Sequence, residues 1–261
     1  MTADGRAKTA LSRRYAAEWQ AARAAHATVE IGAVAPPDMP ERPASPALLD
    51  PREVPRRKPG SPEGRNALLH AVAHIELNAV DLHWDIIARF TDVTMPIGFY
   101  DDWVKAADEE SKYFNLMCDC LEVNGSHYGA MPAHAGMWRA AEDTADDFMG
   151  RLAVVPMVLE ARGLDVTPGM IKVFQNAKDK GAVAALETIY AEEVHHVAYG
   201  SKWFHFLCGR HDLDPTGVFH DLVRKYFHSS LKPPFNEEKR AEAGIPPDFY
   251  WPLAEQMPQI P

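Results

Sequence analysis

"LETIYAEEVHHVAYGSKWF", residues 186–204, decides how this chain is read. The stretch is helical in composition and meets no helix breaker before Gly200. Residues three, four and seven apart share one face of a helix. Along that face it reads Leu186, Ile189, Tyr190, Glu193, His196, Val197, Gly200 and Phe204. A carboxylate and an imidazole, three residues apart, stand where packing alone would place leucine.

Three further long helical patterns can be written the same way, over about 63–90, 99–122 and 136–162, beside the one over 182–208. The first has Leu69, Val72, Ala73, Glu76, Val80, His83 and Ile87 on one stripe. The second has Trp103, Ala107, Glu110, Tyr113, Phe114 and Met117. The third has Met149, Leu152, Ala153, Pro156, Met157, Glu160 and Gly163. Each stripe is apolar except for one glutamate, accompanied on three of them by histidine or tyrosine. Glu109, Glu187 and Glu192 fall off the stripes and read as solvated surface.

One glutamate on an apolar stripe is ordinarily a helix-end, snorkelling or arginine-paired residue. Four in succession, one per helix, need another account. Four carboxylates brought into one core lose hydration at a cost of several kcal/mol per ion and repel one another. They escape by protonation, with raised pKa values, or by sharing cations. Two divalent ions carry the four positive charges that Glu76, Glu110, Glu160 and Glu193 require. His196 adds an imidazole ligand suited to iron or manganese. Ferritin-like di-iron proteins use one Glu from each of two helices and Glu-x-x-His from the other two. The order here is Glu76, then Glu110 to Tyr113, then Glu160, then Glu193 to His196, matching that pattern at every place but Tyr113.

Around this core the sequence predicts three parts. Residues 1–60 form an N-terminal helix over 6–27 and a proline-rich arm, read as an extended strap in which Leu48, Leu49 and Val54 dock. Residues 61–210 form the four-helix bundle, opened by the cap Ser61 and with a stop at "NGS". Residues 211–261 form a helix over 215–227 and a tail that lies on the bundle. Proline at the density of residues 34–62 forbids helix interior and central strand. Almost no strand signal is present, so the expected class is all-α, a ferritin-like four-helix bundle with decorated ends.

Composition excludes several functions. The net charge of −10 disfavours an electrostatic grip on nucleic acid, although "PREVPRRKPG" (51–60) is locally basic. No apolar run is long enough to span a bilayer, and the N-terminus lacks a secretory core segment, so a cytoplasmic protein is expected. Cys118, Cys120 and Cys208 are too few for a disulfide framework. There is no glycine-rich phosphate loop and no Gly-x-Ser-x-Gly elbow.

The stretches "ALLHAVAHIELNAVDLHWD" (67–85), "YGAMPAHAGMW" (128–138), "RLAVVPMVLEARGLDVTP" (151–168), "AEEVHHVAYGSKWF" (191–204) and "LKPPFN" (231–236) resemble a bacterial ferritin-like family of unknown function, related to tRNA-modifying di-iron hydroxylases. The resemblance implies a ferritin-like bundle with a di-metal site at Glu76, Glu110, Glu160, Glu193 and His196. In that family a histidine follows the second glutamate by three residues; here "ESKYF" puts Tyr113 there. A tyrosinate could bind iron. Alternatively Tyr113 hydrogen-bonds a carboxylate and the metal takes water or His83, the reading we prefer. Or one metal position is lost. His70 and His74 lie off the Glu76 stripe and read as structural or supporting groups, His195 as surface, and His134 as a residue at the start of the third helix that could line an entrance.

Three functions are carried forward. The first is a di-iron oxidoreductase acting on dioxygen and an unknown small-molecule substrate, with a separate electron donor. The second is a tRNA or nucleotide modifier, which the acidic charge opposes. The third is a metal-binding or structural bundle without turnover. A homodimer is compatible with all three.

Overall fold

The computed structural model describes residues 2–50, 52–55 and 58–256. The arginines Arg56 and Arg57 of the basic stretch, and the last five residues of the tail, lie outside the described residues. The protein is mostly helical and all-α in class. In order it forms α1 (Gly5–Ala24), β1 (Leu48–Leu49), α2 (Pro62–Arg89), α3 (Ile97–Val123), β2 (Ala133–His134), α4 (Gly136–Asp143) and α5 (Phe148–Val154). A π-helical turn (Val155–Glu160) leads into α6 (Ala161–Asn176), followed by α7 (Lys180–Arg210), α8 (Pro215–Tyr226), α9 (Glu237–Glu242) and α10 (Pro247–Gln256). No described helix is long and apolar enough to cross a membrane.

The chain divides into two compact units, residues 1–139 with 171–186 and residues 140–170 with 187–261. In the first, α2 and α3 pack along their lengths. Ser61 caps α2 as its sequence predicts, accepting from the Gly64 N–H. Helix α1 lies on α3, clamped at one end by Arg6 to Asp119 and Glu122 and at the other by Trp19 and Arg23 to Asp101. The strap does lie on this unit. Prolines offer carbonyls but no N–H, and helix side chains take carbonyls of the strap, one of them a proline's. Arg89 donates to Pro37 O, Trp138 Nε1 to Asp38 O and Lys8 to Glu41 O. Two residues, Leu48 and Leu49, pair in parallel with Ala133 and His134, a short clip that the sequence did not announce.

That clip is backed by buried histidines. His74 donates from Nε2 to the His134 carbonyl and accepts at Nδ1 from Tyr128. His70 Nε2 accepts from the Gly129 N–H at 2.9 Å, and its ring stacks on Tyr128. Burial, with a smaller contribution from His127, pushes the His70 pKa down to about 4. Above the unfolded value near 6.5 the ring is neutral in both states and full stability is present. Below it, the unfolded chain takes a proton that the folded chain refuses, so stability falls as pH drops toward 4. Chemical denaturation at pH 7.5 and 5 is expected to show a loss that is smaller in His70→Gln, by on the order of 1–3 kcal/mol. Equal losses in both proteins would refute the assignment.

In the second unit, Phe204, Phe219 and Phe249 stack edge to face and tilted to form a core joining α7, α8 and α10. Here the structure corrects the expected third helix. That helix, read as 136–162 and ended by Gly163, is broken at residues 144–147. The Thr144 hydroxyl turns back to the Ala140 carbonyl, and Asp147 caps a new helix by accepting from the Gly150 N–H. The helix then runs through Gly163 and Pro168 to Asn176. Gly163 does not stop the helix, and a Cβ there would make only an ordinary contact with Glu193 Cγ at 3.7 Å. Pro168 cannot donate to the Leu164 carbonyl one turn back, and Asn236 Nδ2 donates to it instead. The same repair recurs in α10. Pro252 leaves the Asp248 carbonyl free of its helical donor, and His220 Nε2 supplies one.

The motifs "LEARGLD" and "LKPPFN" bind each other. Asp165, fully buried, accepts two bonds from Arg240 and one from the Asn236 N–H. Arg240 lies against the rings of Phe235 and Tyr250, which also touch each other. Arg162 donates to the Lys232 carbonyl. The tail is thereby fastened to α6 immediately after Glu160.

Candidate metal centre

All five ligands expected from the sequence are buried. Glu76, Glu110, Glu160 and Glu193 are 5%, 1%, 5% and 8% exposed, and His196 is fully enclosed. His83 and Tyr113 are enclosed as well, whereas His195 is exposed as its polar face predicts. Burial this deep on separate helices rules out the snorkelling reading.

In the first unit, α2 contributes Glu76 and His83, and α3 contributes Glu110 and Tyr113. His83 Nε2 lies 3.6 Å from Glu110 Oε1, with the imidazole tilted over the Trp103 ring. The helical stripe had placed His83 two turns from Glu76, too far to serve the same ion. The structure gives it a different carboxylate, on the neighbouring helix. Only the crossing of α2 over α3 reveals that pairing, because a stripe reports neighbours along one helix alone.

In the second unit, Glu160 is the last residue of the π turn, and Glu193 and His196 stand on α7. His196 Nδ1 lies 3.5 Å from Glu193 Oε2. Gly163, one turn beyond Glu160, faces the Glu193 side chain. Pro156 sits in the π turn and packs on α7 at Gly200. A proline one turn before the acid was expected to free a carbonyl and distort the helix. The distortion found is a π turn, a form often met at functional sites.

Each unit therefore contributes two buried glutamates and one buried histidine to the candidate ligands, with an acid–imidazole pair at nearly the same spacing in both. Two ligand atoms at about 2.0–2.2 Å from one cation stand roughly 3.0–3.6 Å apart. Carboxylate oxygen with imidazole nitrogen is a donor set for iron, manganese or zinc. Two charges of −2, one per unit, match one divalent ion in each. Tyr113 offers a phenol on the same face of α3 as Glu110.

His70, His74 and His134 belong elsewhere. They bind the 127–136 loop, as described above, and line a small cleft of about 230 Å³ with residues of the strap and α2. The three cysteines are free thiols, and burial pushes Cys118 up to about 12 and Cys208 up to about 11.

Comparison with known proteins agrees with a single family over nearly the whole length. Residues 1–251 match the model for a protein family of unknown function, DUF455. The chain belongs to that family. A relative, an uncharacterized protein of Haemophilus influenzae, is 40% identical over 208 residues, covering 78% of this chain and 72% of the relative. No solved structure matches. Membership in DUF455 carries no activity with it, so the reading of function rests on the buried acids and imidazoles.

Proposed function

We propose that this protein is a ferritin-like, two-metal carboxylate oxidoreductase that uses dioxygen to oxidise or hydroxylate a small molecule. One observation carries the reading: each unit buries two glutamates and a histidine among apolar side chains, with Glu110–His83 and Glu193–His196 at ligand-to-ligand spacing. Glu110 and His83 would hold one divalent ion and Glu193 and His196 the other, with Glu76 and Glu160 as the remaining carboxylates that balance the charge. Iron fits the donor set, and manganese is the alternative. A bound iron pair supplies electrons to dioxygen. The chain's own part is to neutralise the ions, fix their ligands and keep water from the core. A reductase or a reducing substrate restores the electrons.

His83 bears on the family departure at Tyr113. With His83 beside Glu110, the imidazole that the pattern lacks after Glu110 is supplied from α2. Tyr113 then hydrogen-bonds a carboxylate and does not replace a ligand.

Elemental analysis after anaerobic ferrous loading is expected to give about two ions per chain, one per neutralised pair of acids. His83→Ala and His196→Ala are each expected to lose about one of them, because each removes the nitrogen ligand of one half. Rapid oxygen uptake by the loaded protein supports the enzyme. Metal uptake with no oxygen consumption in the presence of reductant favours the second reading, a metal-binding bundle without turnover. The observation on that side is Tyr113 itself, a phenol in the place of the family's histidine. Absence of metal uptake would end both. A tRNA-modifying role gains nothing from a chain of net charge −10.

A further inference from the structure

A second cleft lies on the far side of α2 from Glu76 and His83. Its volume is about 480 Å³, within the range of small-molecule sites. Residues Asp81, Trp84, Asp85 and Ala88 of α2 form its floor, Leu11 and Tyr15 of α1 one wall, and the strap prolines Pro36, Pro37 and Pro40 with Trp138 the other. Asp81, Trp84, Asp85 and Ala88 stand roughly 100–160° around the helix from His83, with Val80 at the edge between the two faces, and no candidate metal ligand lines the cleft.

The polar groups of the floor and of the indoles are already committed. Lys8 is paired with Asp81 at 2.6 Å and also donates to the Glu41 carbonyl. Asp85 holds Arg89 through both of its oxygens. Trp84 Nε1 donates to Ser12 Oγ, and Ser12 in turn donates to the Ala107 carbonyl. Trp138 Nε1 donates to Asp38 O. The indoles thus offer their faces and not their N–H groups, and the two acids of the floor are each paired with a cation, while Glu41 stands at the exposed rim. A charged ligand would have to displace an ion pair. A flat, uncharged one would bury apolar area against two indoles, a phenol and three proline rings, and aromatic rings favour stacked or edge-on partners.

We infer that this cleft is a binding site for a neutral, largely apolar aromatic small molecule, separate from the metal centre. The strap serves as its outer wall, which explains why so proline-rich a segment is fastened at intervals by Lys8, Arg89 and Trp138. The inference does not depend on the proposed activity, since no residue of the cleft is a candidate metal ligand.

Titration with the uncharged fluorescent probe N-phenyl-1-naphthylamine tests it. Saturable binding of about one probe per chain is expected, as for a single preformed pocket. Ala88→Trp fills the floor of the cleft and is expected to weaken binding by at least about tenfold through loss of contact area. Ala35→Trp does so from the exposed strap, where folding is not at risk. Metal content, measured on the same samples, is expected to stay unchanged in both variants. Probe binding that does not saturate, or that survives both substitutions at full strength, would overturn the inference.

Discussion

Arg240→Met is expected to lower stability by about 3–5 kcal/mol, the range for removing one partner of a buried ion pair. The substitution strips Asp165 of two charge-assisted bonds while leaving its carboxylate enclosed beneath the tail. It also removes the cation that lies against Phe235 and Tyr250, a contact worth about 0.5–2 kcal/mol elsewhere. Urea unfolding measures the loss, and limited proteolysis beyond residue 230 reports whether the tail has come away. The double variant Asp165→Leu with Arg240→Met replaces both charges with apolar groups and is expected to recover part of the loss. A single substitution costing under about 1 kcal/mol would mean that the pair behaves as an exposed surface bridge.

Gly200→Ala is the second large effect. A Cβ on Gly200 would press into the ring of Pro156, 2.5 Å from its Cβ. Proline cannot rotate out of the way, so the π turn has to move. Overpacking of this kind costs about 1–3 kcal/mol. The same turn ends at Glu160, so its displacement shifts an expected ligand as well. Metal affinity is predicted to fall about 10–100-fold, the usual result of disturbing the groups that orient a ligand. Gly169→Ala is the control, because a Cβ there meets nothing within 4 Å. It is expected to gain roughly 0.5–1 kcal/mol as a helix-interior glycine replaced by alanine, with metal affinity unchanged. Equal metal affinity in Gly200→Ala and wild type would separate Pro156 from the placement of Glu160.

Most of the helices could be read from the sequence because their signals are local. Ser61 and Asp214 are side-chain caps, and the expected bounds of the helices carrying Glu76, Glu110 and Glu193 agree with the structure to within about the usual fraying. The third helix was misread where local rules were overruled from a distance. Gly163 and Pro168 are ordinary terminators, yet α6 passes through both. One lies inside the helix facing Glu193, and the carbonyl stranded by the other is met by Asn236, a residue 72 positions away from Leu164. The candidate site divides the same way. The buried glutamates follow from periodicity alone. The pairing of His83 with Glu110 depends on how two helices cross, and no offset along one helix contains it. The cleft floored by Trp84 and Ala88 was not foreseen either, because its outer wall is the proline-rich arm, whose path is set by carbonyls and not by side-chain pattern.

The π turn holds one residue more than an α-helix would place over the same hydrogen-bonded stretch. Everything before it is therefore rotated by roughly 100° against the register that α6 would otherwise extend backwards. A chain shortened by one residue here could close into an uninterrupted, better-bonded rod. It would then present the wrong flank of α5 to its neighbours. The count of residues between Asp147 and Glu160 works like a vernier. It sets where the acid points whatever the side chains between them are, and any graft or redesign of this segment has to preserve length before composition.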